Sequence, residues 1–172
     1  MAANTYTLIS SNVLGSSAAS VTFSSIPATY TDLVLRISSR ADSSFAYEAM
    51  TLQFNGSTAA NYSYTFLRGT GSAASSFRAS SNTDARLGMQ DSATATANTF
   101  GNAEIYISNY GGSTSKPFST FAVQENNNAA AYIETGADLW GLTNAITSIA
   151  VIAGGYNFVS GSSFYLYGIK NS

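Results

Sequence analysis

The sequence contains no cysteine and no histidine, and only two prolines in 172 residues. Without cysteine there is no disulfide, no thiolate nucleophile and no thiolate ligand. Without histidine the common nucleophile–base pairs, and most zinc and transition-metal sites, lose their principal side chain. Charge is scarce too. Asp, Glu, Lys and Arg together make 9% of the chain, where an ordinary soluble domain carries about 25%. Seven basic residues face nine acidic ones for a formal net charge of −2. The basic residues are scattered rather than striped, which argues against nucleic acid as a partner, because neutralising phosphates takes clustered Lys and Arg. No apolar run approaches the ~18 residues that span a bilayer. The first eleven residues hold no basic residue and only Leu8-Ile9 as an apolar pair, so no signal peptide is expected. The expectation is a soluble chain made in the cytoplasm, with no membrane partner.

What is present excludes disorder: 45% of the residues are hydrophobic and 13% aromatic, enough to build a core. The length suits a single domain over 1–172. Solvation must come from the many Ser, Thr and Asn rather than from charge. Net charge is what keeps proteins apart, so such a surface suits a protein largely covered by copies of itself or by a lattice.

The dominant rhythm is period two, interrupted by small-residue turns, which reads as β-strand. Leu33, Leu35 and Ile37 alternate with Val34, Arg36 and Ser38. Met50, Leu52 and Phe54 alternate with Thr51 and Gln53, and Asn55-Gly56 carries a hairpin turn signal. Tyr62, Tyr64 and Phe66 share one face and are assigned to the core. Ile105 and Ile107 point inward on a strand followed, after a turn at Gly111-Gly112, by an antiparallel partner over 118–123. Trp140, between Leu139 and Leu142, is also assigned to the core. The chain closes on a strand over 163–169. The Ser/Ala/Thr/Gly-rich stretch from Gly69 to Ala97 is expected to form long loops and an edge, with weak strands around Phe77 and Leu87, and 126–131 a loop. Nine or ten short strands without an amphipathic helix give an all-β fold, an antiparallel two-sheet sandwich of jelly-roll type.

The remaining chemistry is carboxylate chemistry. Glu104 lies on a strand opposite the Ile105/Ile107 face and could find a second carboxylate across a cleft, as glycoside hydrolysis requires. Ordinary surface placement explains the acids as well, and no catalytic residue, metal ligand or cofactor is assigned. The oxygen-rich stretches near Asp84, Asp91 and Glu125 lack the spacing of a calcium loop. Tyr106 and Tyr110 are placed together on the face opposite Ile105 and Ile107, as interface residues, because tyrosine offers large contact area with a polar tip. Phe77, Arg78 and Arg86 join them as contact residues within the 69–97 stretch, which is taken to supply partner-contacting loops around a sandwich that folds without it.

The segment Leu14-Gly-Ser-Ser-Ala-Ala-Ser-Val-Thr-Phe-Ser-Ser-Ile-Pro27 with Thr29-Tyr-Thr-Asp-Leu-Val-Leu-Arg36, the strand Thr99–Tyr110 and the closing Gly161–Ile169 resemble small virion structural proteins of tailed bacteriophages. The resemblance runs from near residue 5 to the C-terminus and rests on strand and turn patterns. It implies a jelly-roll protein of the virion, without enzymatic activity. One place is the head, as a decoration or cement protein that self-associates, typically as a homotrimer, on the major capsid protein. The other is the tail, as a fibre or adsorption module touching host-surface glycan. A chain whose first strand begins near residue 5 and whose last ends at 169 shows no fibre stem, which favours the head.

Overall fold

The computed structural model describes residues 5–127 and 131–170, so the loop expected over 126–131 lies partly outside the described residues. Twelve strands follow one another: β1 (Tyr6–Val13), β2 (Ser20–Phe23), β3 (Asp32–Ser39), β4 (Tyr47–Phe54), β5 (Tyr62–Gly69), β6 (Ala74–Asn82), β7 (Ala85–Asp91), β8 (Gly101–Ile107), β9 (Lys116–Gln124), β10 (Tyr132–Trp140), β11 (Ile149–Ile152) and β12 (Ser163–Ile169). No helix of the structure is long and apolar enough to cross a membrane. The strands form an eight-stranded sheet in the order β1-β12-β3-β8-β9-β10-β5-β6 and a four-stranded sheet in the order β2-β11-β4-β7. Neighbouring strands are antiparallel throughout. From β1 to β5 the chain changes sheet at every step, which gives the sandwich of jelly-roll type expected from the sequence.

Alternation decides which side chains meet between the sheets. From the larger sheet come Leu33, Leu35, Ile37, Ala103, Ile105, Ile107, Phe164 and Leu166; from the smaller come Val21, Phe23, Met50, Leu52, Phe54, Ile149 and Val151. Phe54 anchors one aromatic centre, edge-on to Phe118 at 5.3 Å and tilted against Trp140 at 5.5 Å. Tyr62 adds its ring there and accepts a hydrogen bond from the Phe54 amide at 2.8 Å through its hydroxyl. Edge-to-face rings at these distances place positive rims on negative faces. A second centre pairs Phe158 with Phe164 at 4.9 Å.

Two sequence expectations change. Asn55-Gly56 does form a tight turn, with positive φ at both residues (53° and 65°) and the Ser57 amide donating to the Phe54 carbonyl at 2.9 Å. It closes no hairpin, however, because β4 and β5 lie in different sheets. The Asn55 side-chain oxygen Oδ1 instead ties the crossing down, accepting from the Thr147 and Ser148 backbone amides at 2.8 and 3.0 Å. The stretch from Gly69 to Ala97 does form edge strands around Phe77 and Leu87, but the long loops expected there are short and the stretch contributes to the core. It forms β6 and β7, edge strands of the two sheets, and buries Ala85, Leu87, Gln90, Asp91 and Ser92. Its many small residues hid the extent of the strands, since an edge strand needs few apolar side chains. The sandwich cannot dispense with it.

The interior is not uniformly apolar. β10 turns Glu134, Gly136, Asp138 and Trp140 inward. Gly136 admits the Phe66 ring, which a Cβ would approach to 2.5 Å. Asp138 is buried and its Oδ2 accepts a hydrogen bond from the Thr120 hydroxyl at 3.1 Å. Burial pushes its carboxyl up to about 8 from an ordinary 3.8. A raised folded pKa means that the folded state holds a proton the unfolded state releases. Asp138 therefore contributes stability that is complete below about pH 4 and is lost as pH rises through about 8. Asp138→Asn, neutral at every pH, should flatten the fall in melting temperature between pH 5 and pH 9 (values roughly bracketing that window). A wild-type and a mutant curve of equal slope in thermal unfolding would show that Asp138 is ionised in the fold.

Candidate functional site

The larger sheet has one face in the sandwich and one outside, and its outer face shows an inverted polarity in β9 and β10. On β9 the inward residues are Lys116, Phe118, Thr120, Ala122 and Gln124, while Pro117 and Phe121 are exposed. On β10, Glu134 and Asp138 face inward while Ile133 and Leu139 face out. A strand with one solvated face normally turns its charged residues to water and its apolar ones to the core. Here Lys116, Glu134 and Asp138 share the inside with Phe118 and Trp140, while Phe121, Ile133 and Leu139 are left outside.

Lys116 and Glu134 each find local partners, while Glu134 Oε2 and Asp138 Oδ1 are buried without a hydrogen bond among the described residues. The Lys116 ammonium donates to the carbonyls of Gly112, at 2.7 Å, and Thr114, closing the loop between β8 and β9, and burial lowers its pKa. Glu134 accepts from Arg68 at 2.7 Å and from Arg86 at 3.4 Å. The guanidiniums lie over rings, Arg68 at 5.0 Å from Phe77 and Arg86 at 5.5 Å from the same ring, and Phe77 stacks on Phe66 at 5.6 Å. This cluster closes the sandwich under β5 and β6 by charge pairing and cation–π contact.

Register across the outer face sets out two long rows. One runs Tyr165, Arg36, Glu104, Phe121, Thr135, Leu67 and Ser76 across seven strands. The next runs Leu8, Tyr167, Val34, Tyr106, Ser119, Ala137, Thr65 and Arg78 across all eight. Leu67, Phe121 and Ile133 are 58%, 47% and 52% exposed, and they line a shallow groove of about 530 Å³ with Gly69, Ser75 and Ser76. A second depression, of about 310 Å³, lies among Arg36, Ser38, Asn102, Glu104, Ser163 and Tyr165. The charges in these rows are Arg78 and the Arg36–Glu104 pair, joined at 2.8 Å in full view of solvent, where a salt bridge stabilises little. Tyr106 is held in place: its hydroxyl donates to Asp32 at 2.7 Å, and Asp32 also accepts the Asn109 amide at 2.8 Å. That bond to a carboxylate pushes the Tyr106 hydroxyl up to about 12, so it stays a donor.

Of the five residues expected at an interface, the fold places two on this face: Tyr106, and Arg78 in the same row. Tyr110 is a correction. It follows the end of β8, and its ring turns into the core, with its hydroxyl donating to the Pro27 carbonyl; strand parity does not continue through a turn. Phe77 and Arg86 are also corrections, because both face inward in the Glu134 cluster. Leu67, Phe121 and Ile133 were missed, although their signal was there. Phe121 stands three residues from inward Phe118, hence on the opposite face of a period-two strand. Glu104 meets Arg36 rather than a second acid, and the described residues contain no group of three or more acids placed to hold a metal.

If the outer face is not part of the fold's own packing, its apolar residues should be dispensable for stability. Phe121→Ser and Ile133→Ser should each change the unfolding free energy by no more than ~0.5 kcal/mol. Glu134→Gln, which leaves Arg68 and Arg86 without their carboxylate, should cost about 3 kcal/mol. Denaturant unfolding distinguishes the two classes, and a large loss in either serine variant would assign those residues to the core.

No protein-family profile matches the sequence, and neither does any curated protein. Among solved structures, an exo-inulinase from Aspergillus awamori is similar over 95% of this chain and 29% of its own, with 13% identity and a TM-score of 0.49. The chain therefore corresponds in extent to less than a third of that protein. The galectin LEC-6 from Caenorhabditis elegans is similar over 94% of this chain and 96% of its own, with 12% identity and a TM-score of 0.38.

Proposed function

We propose that this chain is a non-catalytic assembly protein of a virion, a capsid decoration protein of the kind its sequence resembles, which docks on the major capsid protein through the outer face of its eight-stranded sheet. The inverted polarity of β9 and β10 carries the reading. Turning Glu134 and Asp138 inward while leaving Ile133 and Phe121 in water costs stability on both faces, and a partner that covers the outer face recovers the apolar part. Each Å² of apolar surface covered contributes roughly 25 cal/mol, and a standard contact buries ~1,600 Å² in all. Many symmetric copies, as in the trimers the resemblance implies, multiply that contribution over a shell. The scarcity of charge on the two rows suits the centre of an interface, where charged residues are depleted and aromatic ones enriched. Arg78 lies at its rim.

Co-sedimentation with capsids of the virus that carries this sequence tests the proposal. Wild-type protein should bind saturably, and the double change Phe121→Arg with Ile133→Glu should weaken binding at least tenfold, while its circular dichroism stays that of the wild type. Equal binding by the double variant would place the contact elsewhere, and no binding by wild type would remove the head reading.

The second depression favours a second reading, a tail module for host-surface glycan. Arg36, Glu104 and Asn102 present planar hydrogen-bonding groups beside the Tyr165 ring, an arrangement that suits a sugar's hydroxyls and its apolar face. That reading expects saturable binding to host polysaccharide, abolished by Tyr165→Ala and untouched by the Phe121/Ile133 double change.

A further inference from the structure

A sheet edge offers unpaired backbone donors and acceptors, and proteins guard such edges with charge, proline, short strands or cover. This sandwich has four edges: β1 and β6 on the larger sheet, β2 and β7 on the smaller. β2 is four residues long. β6 carries Arg78, and β7 carries Arg86 and Asp91. β1 differs from all three. It is eight residues long, has neither charge nor proline, and is exposed along nearly its whole length on both faces. The first charged residue of the chain is Asp32 and the first proline is Pro27. β12, its one neighbour in the sheet, is uncharged as well. Among the described residues the only guard is a bulge between Leu8 and Ser10, which leaves Tyr6–Leu8 and Ser10–Val13 as regular runs.

We infer that β1 is a self-pairing edge: two copies of this chain join β1 to β1 in antiparallel register about a two-fold axis, fusing their eight-stranded sheets. A second copy fits for three reasons. β1 has no charge by which to select a partner of opposite sign, and pairing with itself brings no like charges together. A two-fold contact uses one patch twice and closes on itself, so it ends at a dimer instead of growing into a fibre. The outer-face row also continues through the join. Leu8 opposite Tyr167, and Tyr6 edge-on to Tyr167 at 6.5 Å, end one copy's row where the mate's begins, so the dimer's two outer faces form one continuous sheet surface. The contact is independent of the docking surface itself, which lies nearer the other end of the sheet, and a two-fold pairing can link neighbouring trimers as readily as free monomers.

Sedimentation equilibrium of the full chain across a dilution series, with hydrogen exchange at both ends of the series, tests this. The wild type should approach twice the monomer mass at high concentration, and the amides of Tyr6–Val13 should exchange more slowly there. Ser10→Lys and, separately, Thr7→Lys should each weaken association about tenfold or more, because each places a charge on an uncharged edge that pairing would partly bury. The Phe121/Ile133 double variant should dimerise as the wild type does, which separates this contact from docking on the shell. A wild type that stays monomeric overturns the inference. So does a dimer that persists in both lysine variants, or one that forms without protecting β1.

Discussion

Much of this structure turns on a conflict in the β9–β10 hairpin between what the interior receives and what the surface keeps. Alternation along a strand is rigid, so putting Trp140 and Phe118 into the core commits Asp138, Glu134 and Lys116 to the same side and Phe121, Ile133 and Leu139 to the other. The inward charges then need partners. Arg68 and Arg86 answer Glu134, the carbonyls of the β8–β9 loop answer Lys116, and Asp138 holds its proton. The outward residues have no such answer within one chain. An apolar face on a protein so poor in charge is the surface the proposed assembly would cover, and this links the packing of the interior to that proposal.

The difference in width between the sheets adds a second constraint. Four strands cannot cover eight. β7 lies over β8, β9, β10 and β5, and the rings and guanidiniums around Glu134 fill the margin beneath β5 and β6. At the opposite margin nothing comparable among the described residues covers β1, which is exposed along nearly its whole length. One end of the larger sheet is thus closed by side chains and the other is left open.

The fold was legible where strands had clean alternation. Leu33, Leu35, Ile37, Met50, Leu52, Phe54, Ile105 and Ile107 all point where their period predicts. Legibility failed in two ways. In β6 and β7 strands were expected around Phe77 and Leu87, but the many Ser, Ala and Gly made their extent and their share of the core look like loop. At Tyr110 the chain leaves its strand, and parity counted along the sequence no longer gives a direction in space. The candidate site was half legible: Tyr106 comes from simple counting and Arg78 was expected in a loop but lies on β6, while the inversion appears only when Lys116, Glu134 and Asp138 are known to be inside. An inward charge looks, in sequence, like an outward one.

The central claim is that the outer face of the larger sheet is covered in the working particle. Cryo-electron microscopy of the virion tests it most directly, at a resolution that traces β9 and β10. The account predicts regular copies on the head with Phe121, Ile133 and Leu67 buried against the shell. Copies whose outer sheet face looks into solvent, with the four-stranded sheet against the particle, would contradict it.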